Sequence, residues 1–120
     1  SYMSKPKNLI IDQRSNDFKA WLTSKKGYSS RAKSDCLARC RRIERELDID
    51  LSDFFQSAES FSLLMANIKQ YAKDVSENSS SQYTLTGTLR NAARKYALFS
   101  NPKLKGTFEA GNYGQGIKPS

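Results

Sequence analysis

At 120 residues with 38% hydrophobic and 11% aromatic side chains, the chain suits one globular domain and is too apolar for disorder. Twenty lysines and arginines against 12 acidic residues leave a net charge of +8, which favours a polyanionic partner. No apolar run approaches the ~18 residues that span a bilayer. With no signal-peptide pattern either, the expectation is a cytoplasmic protein without a membrane partner.

Ser1 and Tyr2 ahead of Met3 read as a cloning remnant, and residues 3–14 as a polar arm or pre-helix, so 1–14 lies outside the expected domain. Ser15 or Asn16 can cap a first helix to about Lys25, with Phe18, Trp21 and Leu22 as its apolar stripe. Gly27 then stops it. Ser29 or Ser30 caps a second helix running to about Leu47. Cys36, Cys40, Ile43 and Leu47 fall within about 40° of one another at 100° per residue, which marks the core face. Arg31, Ala38, Arg41, Arg42 and Arg45 take the opposite arc. Asp48, Asp50 and Ser52 break this helix, and Leu51, Phe54 and Phe55 read as a turn plugging the core.

A third helix spans roughly Ala58 to Ser76, burying Phe61, Leu64, Met65, Ile68, Ala72 and Val75. Glu77 to Gln82 reads as a polar loop. Thr84 then caps a fourth helix whose core stripe is Leu85, Leu89, Ala92, Tyr96 and Phe99. Leu98 falls on its polar side, and Asn101-Pro102 ends it. Four of the six glycines lie in the last fifteen residues, so 102–120 reads as a linker or tail. Nothing reads as a strand. The fold class expected is an all-α, compact four-helix bundle over residues 15–101 with a flexible C-terminal tail.

The charge is not evenly spread. Residues 1–50 carry 12 basic and 7 acidic side chains, residues 51–80 carry 2 and 4, and residues 81–120 carry 6 and 1. Arg31, Lys33, Arg39, Arg41, Arg42 and Arg45 crowd the second helix, and Arg90, Arg94 and Lys95 the fourth. Such an excess on two helices flanking a slightly acidic one points to a basic patch for nucleic acid. Helix starts add free N–H groups and partial positive charge. Ser29, Ser30, Tyr83, Thr84 and Thr86 near those starts are neutral phosphate donors.

Enzyme chemistry finds little to work with. General acid-base catalysis at neutral pH commonly uses histidine, and the chain has none. Asp48, Asp50 and Asp53 form the one acidic cluster, read as a helix-ending turn rather than a metal site. Cys36 and Cys40 are two ligands short of tetrahedral zinc and read as small core residues. No metal, cofactor or catalytic residue is expected.

The stretch FKAWLTSKKGYSSRAKSDCLARCRRIERELDID, followed by a third helix and then TLTGTLRNAARKYALF, resembles the N-terminal core-binding (SAM-like) domain of phage integrases and other tyrosine recombinases. Phe18 and Leu22, Ser29 and Ser30, Leu89-Arg90, Arg94-Lys95-Tyr96 and Phe99 carry the likeness, over about residues 15–100. It implies half of a clamp on double-stranded DNA, with helices two and four toward the major groove and its phosphates. The family's catalytic residues belong to a separate C-terminal domain, so that domain or identical protomers on DNA are the implied partners. A bacterial or phage-encoded origin follows from the same likeness. Ser29, Ser30, Arg31, Lys33, Arg41, Arg42, Arg45, Tyr83, Thr84, Thr86, Arg90, Arg94 and Lys95 are the expected DNA contacts. The alternatives are a helical interaction adaptor, with Leu98 as an exposed apolar contact, the targeting arm of a mobile-element protein, and a metal-dependent nuclease.

Overall fold

The computed structural model describes residues 9–109. Among these the regular structure is helical throughout: α1 (Ser15–Lys26), α2 (Ser30–Leu47), α3 (Ala58–Val75), α4 (Ser79–Ser100) and α5 (Lys105–Glu109), with 3-10 turns at Ile10–Arg14, Leu51–Phe54 and Pro102–Leu104.

The caps explain most boundaries. Gly27 adopts φ 67°, its N–H reaches Thr23 O at 3.1 Å, and Tyr28 N–H reaches Leu22 O at 3.1 Å. That pair of bonds satisfies the last carbonyls of α1, and the left-handed φ favours glycine. Ser29 Oγ accepts the Ala32 N–H and starts α2. Ser57 and Ser60 exchange side-chain and backbone bonds in a capping box ahead of α3.

Helix α4 is the hub, packing against α2, α3 and α1. Its buried alanines Ala92, Ala93 and Ala97 let neighbouring backbones approach closely. Tyr96 fills the centre, 5.0 Å from Phe18 and 5.7 Å from Phe55 between ring centroids. Burying a large side chain of this kind contributes roughly 1.5–3 kcal/mol, so truncating Tyr96 would open the core.

Several expectations need correction. Residues 9–14 belong to the body: Ile11 is fully buried and Leu9 nearly so. The Ile10–Arg14 turn runs straight into α1, so neither Ser15 nor Asn16 caps that helix, and Arg14 holds the N-cap position without a side-chain capping bond, its guanidinium donating instead to Ser100 Oγ at 3.2 Å. Helix α4 begins at Ser79 rather than near Thr84, because Asn78 Oδ1 accepts the Ser81 N–H at 2.9 Å. The stretch read as loop is its first turn. Val75, placed on the buried face, is 51% exposed as the last residue of α3. Beyond Pro102 the chain continues as a 3-10 turn and α5, with Phe108 fully buried 4.7 Å from Phe61. The rest of the expected tail, from residue 110, lies outside the described residues.

A long-range tie anchors the N-terminal turn. Glu44, only 1% exposed, accepts the Ile11 N–H at 3.0 Å and the Leu51 N–H at 2.9 Å. One buried carboxylate on α2 thus holds two 3-10 turns. Burial pushes its carboxyl up, partly offset by those backbone bonds.

Candidate nucleic-acid interface

Helices α2 and α4 cross where the Cys40 thiol donates to Ala92 O at 3.4 Å. Beside this point a groove of about 190 Å³ opens, lined by Tyr28, Asp35, Cys36, Arg39 and Asn91 among others. Asn91 gathers the α4 cations. Its Oδ1 accepts from Arg94 Nη2 at 2.6 Å and from Lys95 Nζ at 3.3 Å. Tyr28 sits within the same field. Burial is the main influence raising its hydroxyl pKa, while Arg94, Arg39 and an Asn91 hydrogen bond work the other way. Arg39 on α2 thus lines the groove directly, while Arg94 and Lys95 on α4 are tied to it through Asn91. The counter-charge at its edge is Asp35, 3.7 Å from exposed Arg31, and such exposed pairs exchange cheaply for another anion.

The other expected contacts divide sharply. Arg42 is turned toward α3: its guanidinium lies 5.4 Å from the Tyr71 ring and its Nε donates to the Tyr71 hydroxyl at 3.0 Å. Arg90 donates twice to Met65 O, at 3.1 and 2.8 Å, and ties α4 to α3. Arg41 faces Asp12 at 3.1 Å, and Arg45 faces Glu46 at 3.3 Å. The single merged face expected from Arg41, Arg42, Arg45, Arg90 and Arg94 is thus divided among several neighbours. Lys33 is half-buried, and Ser30 and Arg31 are exposed at the start of α2. Ser29 is exposed, but its hydroxyl is already used as the cap.

The two helix starts do not share a site. Tyr28, just before α2, meets Asn91, which lies 12 positions beyond Ser79, or about 18 Å along α4. Tyr83 and Thr84 accordingly lie in the second turn of α4, with Tyr83 82% exposed. Thr86 faces the core at 9% exposure and is no surface donor.

Sequence reasoning passed over Arg39 as a contact. It sits three residues after Cys36, on the flank of the core stripe, whereas the arc opposite the core drew attention. Residues on a helix flank are the ones that meet side chains of an adjacent helix. That geometry was legible.

The remaining candidates resolve into structural roles. Asp50 Oδ1 accepts the Ser52 N–H at 3.0 Å and its hydroxyl at 2.8 Å, so it caps the Leu51–Phe54 turn. Among the described residues, no group of three His, Cys, Asp or Glu side chains could hold a metal ion. Tyr96 is buried, and desolvation pushes its hydroxyl up to about 12. Leu98, expected as an exposed adaptor contact, is 6% exposed. Among the described residues no helix is long and apolar enough to cross a membrane.

Comparison with family models, with curated proteins and with solved structures found no match.

Proposed function

We propose that the chain is a non-catalytic duplex-DNA-binding domain of the core-binding kind found in tyrosine recombinases, working beside a catalytic domain or identical protomers on DNA. One observation carries the reading: Arg39 of α2 lines the groove whose Asn91 binds Arg94 and Lys95 of α4, and the 22 residues of α4 include no acidic side chain. Clustered cations on crossed helices suit closely spaced phosphates, where neutralisation releases condensed counterions. The helical architecture, with α4 as hub, is compatible with a SAM-like domain. Duplex fits better than single strands, because stacking platforms need successive exposed aromatics. Here Tyr83 is highly exposed while Tyr28 is half-buried.

In this reading Arg39, Arg94 and Lys95 bind phosphates, with Arg31 and Lys33 extending the surface toward the start of α2. Fluorescence anisotropy with a labelled random-sequence duplex at low salt tests it. Arg39→Ala combined with Arg94→Ala should weaken binding at least tenfold, each lost charge being worth roughly 0.7–1.4 kcal/mol at low salt. A wild-type chain that ignores duplex DNA at low salt sinks the proposal.

A further inference from the structure

A second cavity, of about 270 Å³, opens where the end of α1 meets the end of α4 and the start of α5. It is lined by Trp21, Lys25, Lys26, Leu98, Pro102 and Lys105, none of which lines the α2–α4 groove. We infer that this cavity is a single-nucleotide site, with one nucleobase against Trp21 and its phosphate among the three lysines. This goes beyond the duplex reading and stands whether or not the groove binds DNA.

The floor is apolar and braced. Trp21 packs 6.2 Å from Phe18 and 5.8 Å from Phe99 between ring centroids, and Phe18 is fully buried. The indole is half-buried rather than enclosed, and Leu98 and Pro102 complete the apolar wall. A ring held in place this way loses little freedom when a ligand arrives. One such ring offers a place for a single base, not the run of aromatics that a strand requires.

The rim is cationic. Lys25, Lys26 and Lys105 are exposed, and among the described residues no carboxylate pairs with any of them. The α1 macrodipole accounts for Lys25 and Lys26 in its last turn. It does not account for Lys105, which arrives from α5. Ammonium groups from two separate helices beside one indole match a ligand that is flat and aromatic at one end and anionic at the other. Lysine serves phosphate as a compact point charge. The cavity also lies just below the ~300–1,000 Å³ of drug-sized sites, a scale that suits one nucleotide rather than an oligomer.

Relative strengths favour occupation. Lys26 Nζ lies 5.6 Å from the centroid of the Trp21 ring. Stacking of a base on an aromatic ring outweighs an exposed cation–π contact of this kind. An arriving base therefore displaces Lys26 from the ring and leaves its ammonium to the phosphate.

Trp21 is the only tryptophan in the chain, so its fluorescence reads the cavity directly. Full-length protein at low salt is titrated with deoxyadenosine monophosphate, and separately with deoxyadenosine. The monophosphate should quench Trp21 saturably, and the nucleoside should bind roughly three- to tenfold more weakly for want of the anion. Lys25→Ala combined with Lys105→Ala alters exposed positions that matter little to stability. That variant should bind the monophosphate roughly three- to tenfold more weakly and the nucleoside as wild type does. A blunt duplex and the same duplex with one unpaired 3′ nucleotide separate the sources. Extra quenching by the overhang places strand ends in the site, and quenching by the monophosphate without overhang preference places free nucleotide there. No quenching by either probe overturns the inference. So does a nucleoside that binds as tightly as the monophosphate, or a double variant that binds the monophosphate like wild type. Duplex anisotropy reads the α2–α4 groove, so failure of one site is distinguishable from failure of the other.

Discussion

Two groups of arginines on the same two helices meet different fates. Arg42 and Arg90 reach sideways to α3 and are absorbed by the fold, one on the Tyr71 ring and hydroxyl, the other on the Met65 carbonyl. Arg39 lines the groove where α2 crosses α4, and Arg94 and Lys95 bond to Asn91 in its lining. Charge alone does not make a binding residue. What matters is whether the flank carrying it meets a carbonyl or aromatic ring of its own protein, or faces outward at a crossing.

That contrast can be broken in order of effect. Glu44→Ala strips the acceptor from two buried N–H groups, each costing about 1–3 kcal/mol when unmet. Urea unfolding should show a loss of roughly 2–5 kcal/mol. The same residue has a pH signature. A carboxyl whose folded pKa is raised gives stability that is complete below its ordinary value of 4.5 and is lost as pH rises through the folded value. Wild type minus Glu44→Gln stability should therefore fall as pH climbs from the carboxylate range toward neutrality. A difference that rises instead contradicts the burial account.

Arg90→Ala removes two charge-assisted bonds between helices, and a drop of about 1.5–3 kcal/mol is expected by thermal or chemical unfolding. Arg42→Ala loses one hydrogen bond and a cation–π contact, for about 1–2 kcal/mol. Arg39→Ala, exposed, should change stability by no more than about 0.5 kcal/mol while weakening DNA binding. If Arg39→Ala proves as destabilising as Arg90→Ala, the division between strut and groove cations fails.

Much of this was readable beforehand. The stripes Phe18–Leu22, Cys36–Cys40–Ile43 and Leu89–Ala92–Tyr96 are buried as their periodicity implied, since amphipathic helices leave a strong local signal. The misses have physical causes. Ser79–Gln82 reads as loop from the weak helix propensity of serine, yet the Asn78 cap and the packing of α4 against α3 carry the helix through it. Ile11 and Phe108 are buried by partners distant in sequence, Glu44 and Phe61 among them, which no local pattern encodes. Arg42 and Arg90 became struts for the same reason: Tyr71 and Met65 lie 29 and 25 positions away. Arg39 alone was missed although its flank position was visible.

The most direct measurement is the salt dependence of duplex binding for wild type and for the Arg39→Ala, Arg94→Ala double variant. With about five phosphates neutralised, the slope of log K against log salt should be near −4 to −5, a loss of several hundred-fold between about 50 and 200 mM. The double variant should flatten that slope by about 2. An equally steep slope in both proteins, or none in either, would contradict the groove as the seat of binding.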